Sequence, residues 1–112
     1  MDREKLSKFK NGWFVGNFEP TLYKGNFEVA FQKYRKGEHH ADHYHVLSKE
    51  INLVTRGKIK VNEEIFRKGE FFVLYPYEVS RVEYLTDVDL VVVRTASDPT
   101  DKYEVKDDNR PI

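Results

Sequence analysis

GEHHADHYHVLSKEINLVTRG, residues 37–57, holds all four histidines of a 112-residue chain. His43 and His45 stand two apart, and a carboxylate, Glu50, follows a short polar break at Ser48 and Lys49. Strand side chains alternate between faces, so residues two apart point the same way with Cα atoms about 6.5–7 Å apart. Two imidazoles on one face, with a carboxylate returning on a neighbouring strand, have the donor chemistry to close on a single metal ion.

Outward from this stretch the chain keeps a short rhythm. Residues 27–32 alternate and put Phe27, Val29 and Phe31 on one face, the pattern of a half-buried strand. Before them, residues 13–18 are rich in aromatics and follow a turn signal at Asn11-Gly12, while residues 1–10 read equally well as a helical turn or a pairing strand. Further strands are predicted at 43–46, 51–55, 59–61, 64–66, 70–74, 79–85 and 88–95. They are separated by Ser48-Lys49, Gly57-Lys58, Asn62-Glu63, Tyr75-Pro76 and Thr86-Asp87. Leu90, Val91, Val92 and Val93 form a continuous apolar run, which predicts a strand covered on both faces and deep in the fold. Many short strands without a long 3.6-residue period indicate an all-β sandwich or barrel. Its core is expected over residues 13–95. A polar tail, 96–112, is expected to be pinned by Tyr103 and Val105, with its last residues mobile.

Length and composition bound the rest. A chain of 112 residues, 14% aromatic and 34% charged, reads as one globular domain over residues 1–112. Nineteen basic and nineteen acidic residues cancel and are interspersed, so a nucleic-acid partner is not expected. With no cysteine, any metal must be held by nitrogen and oxygen. The start, MDREKLSKFKNG, is charged from its second residue, and no apolar run has the length to cross a bilayer. No membrane partner is expected, and the cytoplasm is the default location.

The spacing of Gly37, His43, His45, Glu50 and Gly57 resembles, at every defined position, the first motif of the cupins. These are double-stranded β-helix (jelly-roll) barrels in which two histidines and a glutamate hold a divalent metal. In that family a second motif supplies a glycine, a proline, a second glycine and then a histidine as fourth ligand. Here Gly69 and Pro76 are recognisable in GEFFVLYPYEVSRVEYL, but the histidine is missing: one register puts Ser80 at its place, the other Arg81. Alternation favours Ser80, Val82 and Tyr84 facing inward, with Arg81 and Glu83 in water. An inward Arg81 would repel a bare cation and receive an anionic substrate. His39 lies about 13 Å from His43 in an extended chain, too far to share an ion. With His40 it is a candidate for the rim.

The resemblance implies a small-molecule-binding cupin, with His43, His45 and Glu50 on a divalent ion (Fe, Mn, Ni, Co or Zn). Tyr75, Tyr77, Tyr84 or Arg81 would position the substrate of a metal-dependent dioxygenase, isomerase or lyase. Two other readings stay open. One is a metal-free barrel similar to sugar-nucleotide isomerases and epimerases, with His43 or His45 as base and Tyr84 or Tyr75 as acid. The other is a non-catalytic ligand-binding module. Cupins commonly pair as homodimers, and Trp13 and Phe14 are candidates for such an interface, as is Tyr44, which alternation turns away from the two histidines.

Overall fold

A computed structural model describes residues 1–105; the expected mobility of the last residues falls on 106–112, outside the described part. Two 3-10 turns, Leu6–Lys8 and Lys10–Gly12, precede the strands and bury Phe9. The turn at Asn11-Gly12 is sharp because both residues take positive φ, 52° and 79°. A Cβ on Gly12 would sit 2.0 Å from the carbonyl oxygen of Phe31, so only glycine fits there. Ten strands follow. The first five are β1 (Trp13–Val15), β2 (Phe27–Tyr34), β3 (His43–Tyr44), β4 (Lys49–Arg56) and β5 (Lys58–Val61). The others are β6 (Glu64–Arg67), β7 (Phe71–Leu74), β8 (Val82–Tyr84), β9 (Val88–Thr95) and β10 (Tyr103–Glu104).

β9 is central in a five-stranded sheet of order β1-β2-β9-β4-β7, as its apolar run predicts. Leu90 and Val92 are buried, whereas Val91 and Val93 on its other face are only partly covered. A three-stranded sheet, β6-β5-β8, lies across the core. Val54, Ile59, Val61, Phe72, Leu74 and Leu90 pack together there. β5 and β6 are joined at Asn62 and Glu63, both at positive φ (49° and 71°), the mirror-image turn that matches strand twist in a two-residue hairpin.

Asn62 also settles a register that alternation alone left open. Its side chain donates to the carbonyl of Val79 (2.9 Å) and accepts from the amide of Arg81 (2.9 Å). Its own amide bonds the Arg81 carbonyl (3.0 Å). With 79 and 81 tied to Asn62, Ser80 is turned inward and buried.

β2 corrects the expectation for its faces. The buried positions are Glu28 and Ala30, while Phe27 is exposed. The inner face of this strand meets a polar interior, where Ser97 Oγ donates to Glu28 (3.1 Å), so the apolar alternate set is the outer one. The tail behaves as expected up to residue 105: β10 pairs with β3, and the Val105 amide bonds the Asp42 carbonyl (2.8 Å).

Candidate functional site

A cavity of about 1180 Å³ opens inside the barrel. Ile59, Phe72, Leu74, Val82 and Leu90 give it an apolar wall, and Trp13, Tyr34 and Tyr84 an aromatic one. His43, Glu50, Asn52, Ser80 and Arg94 make it polar on the remaining side. β3 supplies His43, the turn that follows it His45, and β4 the carboxylate of Glu50.

His43 is held by its backbone to Ser80: the Ser80 amide donates to the His43 carbonyl (2.7 Å) and the His43 amide to the Ser80 carbonyl (3.3 Å). Its Nδ1 faces the Ala41 carbonyl at 3.4 Å, leaving Nε2 for other partners. Burial, helped by Lys102 and opposed by Glu50, pushes the His43 imidazole below its usual range, which favours the neutral ring. The His45 ring stands edge-on to it with centroids 5.3 Å apart.

His45 is only 3% exposed, and its Nδ1 is hydrogen-bonded to the backbone carbonyl of Asp101. A carbonyl only accepts, so Nδ1 carries the hydrogen and the neutral ring has its lone pair on Nε2. That atom lies 3.1 Å from Glu50 Oε2, yet it is buried without a hydrogen-bond partner.

Glu50, 7% exposed, is fixed at both oxygens. Asn52 Nδ2 donates to Oε1 (3.2 Å) and Arg94 Nε to Oε2 (3.0 Å). Burial alone would raise its carboxyl, but positive charge on the His45 side, a proton or cation between Nε2 and Oε2, together with the charge of Arg94 outweighs this and holds it at about 2. Arg94 reaches a second buried carboxylate as well, with Nη1 3.6 Å from Glu28 Oε1. Its guanidinium covers the Trp13 ring at 4.5 Å. Trp13, expected at an outer interface, is therefore part of the inner wall.

Ser80, Val82 and Tyr84 line the cavity as alternation predicts. Tyr84 stacks on Tyr34 with centroids 4.6 Å apart, and the His40 ring stands edge-on to both. Burial, reinforced by Glu50 and Glu38, pushes Tyr34 up to about 12, and burial against Tyr34 also raises Tyr84. Two candidates lie away from this group. Arg81, its side chain 61% exposed, pairs with Asp42 (3.1 Å), and Tyr75 is exposed with Lys49 over its ring at 5.1 Å. Tyr44 turns outward as expected and stacks with Tyr77 and Tyr103 on the surface.

Arg94, Asn52, Glu28 and Asp101 belong to the site but were not singled out from the sequence. Only the inward parity of Arg94 in the β9 run could have drawn attention to it.

Whether these residues suit a metal is answered by the orphaned Nε2. A lone pair 3.1 Å from a carboxylate oxygen is unfavourable unless a proton or cation lies between them. Donors sharing one ion at about 2.0–2.2 Å and at right angles stand roughly 3 Å apart. Both imidazoles have Nδ1 turned to a backbone carbonyl, the outer support usual for ligating histidines. Among the described residues, no three of His, Cys, Asp and Glu converge as a ready-made metal group. The close pair is His45 and Glu50, with His43 one ring away.

No protein-family model matches the chain, and no curated protein matches it in sequence. Its fold is nevertheless that of known structures. A double-stranded β-helix domain protein from Klebsiella pneumoniae superposes with a TM-score of 0.63 at 16% identity, over 71% of this chain and 70% of that one. An oxalate oxidase in complex with the substrate analogue glycolate gives 0.60 at 19% identity, over 71% of this chain and 46% of the oxidase. Salicylate 1,2-dioxygenase from Pseudoaminobacter salicylatoxidans gives 0.55 at 22%, over 62% of this chain and 20% of the enzyme. The chain thus has the double-stranded β-helix fold, that of the cupins.

Proposed function

We propose that the barrel binds a small molecule beside a divalent metal held by His43, His45 and Glu50. The observation that carries this reading is the buried Nε2 of His45, without a hydrogen-bond partner and 3.1 Å from the ionised Glu50. A bound divalent ion would supply a Lewis acid for a carbonyl or enolate oxygen.

The chain's own residues do the rest. Arg94 and Asn52 fix the plane of the Glu50 carboxylate and keep it charged. The lowered His43 keeps its ring neutral and its lone pair available. Ser80, where a fourth histidine is missing, leaves that side of the site to the substrate. Tyr34 and Tyr84, both raised, stay protonated at working pH and serve as hydrogen-bond donors and as a stacking wall, poorly suited to giving up a proton. Neighbours named for oxalate and salicylate chemistry support a small-molecule ligand; neither chooses one for this chain.

Metal analysis of protein purified without a histidine tag tests the proposal. About one divalent ion per chain is expected, lost in a His43→Ala, His45→Ala double variant. Metal-free protein that also fails to take up Fe, Mn, Ni, Co or Zn would overturn it.

A further inference from the structure

The segment that carries the histidines is short and weakly paired. β3 has two residues, and beyond them the chain must turn from His45 to Lys49 before β4 begins. Three successive amides line that turn, and all three point at one side chain. Val46 N–H donates to Asp101 Oδ1 (2.8 Å), while those of Leu47 and Ser48 donate to Oδ2 (3.0 Å each). Consecutive backbone N–H groups form a concave anion site, and here the anion comes from the same chain, more than fifty residues away. Asp101 is 3% exposed, and a turn bond from its amide to the Asp98 carbonyl (3.0 Å) fixes its own backbone. Its carbonyl is the group that meets His45 Nδ1.

We propose that Asp101 is a positioning residue of the site: by seating its carboxylate in the 46–48 amides, it holds its own carbonyl against His45 Nδ1 and so keeps the His45 lone pair on Nε2, turned toward Glu50. The inference rests on the reading of His45 as a ligand, and it adds what sets that ligand's orientation. A free imidazole in water favours hydrogen on Nε2, the arrangement that would block this donor. The tail reinforces the effect by pairing β10 along β3, Tyr103 with Tyr44 and Glu104 with His43. The histidine segment is thereby clasped at 43–44 by a strand and at 46–48 by a carboxylate.

The ring itself reports the test. Long-range 15N–1H correlation spectra of metal-free protein at alkaline pH, with His45 assigned by its loss in His45→Asn, are expected to show hydrogen on Nδ1 in the wild type. Asp101→Ala is expected to shift His45 toward the Nε2–H form. Asp101→Asn, which keeps one acceptor oxygen and folds more readily, is expected to shift it part of the way. A core truncation, Val54→Ala, lowers the melting temperature and leaves the tautomer as it was, which separates positioning from general loosening. A wild-type ring with hydrogen on Nε2 only, or an unchanged tautomer in both Asp101 variants, would overturn the proposal. Titration with Co(II) gives the second readout: about 10- to 100-fold weaker binding in the Asp101 variants. A wild type that takes up no metal would sink the metal reading of the preceding subsection, while the tautomer would still decide the role of Asp101.

Discussion

Among the described residues Arg94 is the one cation paired with both buried carboxylates, and its removal takes that counter-charge from each. Arg94→Ala is expected to lower stability by about 3–5 kcal/mol, the range for breaking a buried pair from one side. Adding Glu28→Gln to that variant should recover part of the loss in a denaturant titration, because one uncompensated group is gone. Glu50 makes a separate prediction about pH. Its folded value of about 2 lies below the model-peptide 4.5, so the unfolded chain binds the proton more readily between them. Its contribution, on the order of 3 kcal/mol, is complete above about pH 5 and is lost as pH falls toward 2. Glu50→Gln should flatten the stability curve of the metal-free protein in that window.

The strands were largely legible, and the sides they present were less so. Turn residues bracketed β5, β6 and β9 because positive φ and apolar runs are local properties that a sequence states directly. Alternation separates two faces of a strand but does not say which is inner. In a solid core hydrophobicity breaks that tie, and around a polar cavity it fails. This is why Phe27, Val29 and Phe31 were expected inward on β2, where Glu28 and Ala30 are buried. For 79–85 the same rule succeeded, since Ser80 and Tyr84 carry no charge and Arg81 and Glu83 do. With the Asn62 clamp holding Ser80 inward, Ser80→His would place an imidazole beside the His43 backbone. Co(II) affinity should rise at least about tenfold, as expected for one more nitrogen donor; equal or weaker binding in a folded variant would mean that position 80 does not face the ion.

At the scale of the whole molecule, sequence spacing points to the three donors proposed above but not to the residues that support them. His43, His45 and Glu50 lie within eight positions, whereas Arg94 and Asp101 reach them from the far side of the chain, and no local pattern encodes such contacts. A ligand that binds only the folded barrel stabilises it by mass action. Saturating Co(II) should therefore raise the melting temperature of the wild type by several degrees and do nothing for the His43→Ala, His45→Ala variant. The order in which the chain is made adds one consequence. All nine strands from β1 to β9 are complete by residue 95, yet the amides of Val46, Leu47 and Ser48 still await their carboxylate six positions further on. On a growing chain the barrel has its full set of walls before His45 has its orientation. The orientation of His45 is thus set by a residue that lies beyond the last strand of the five-stranded sheet.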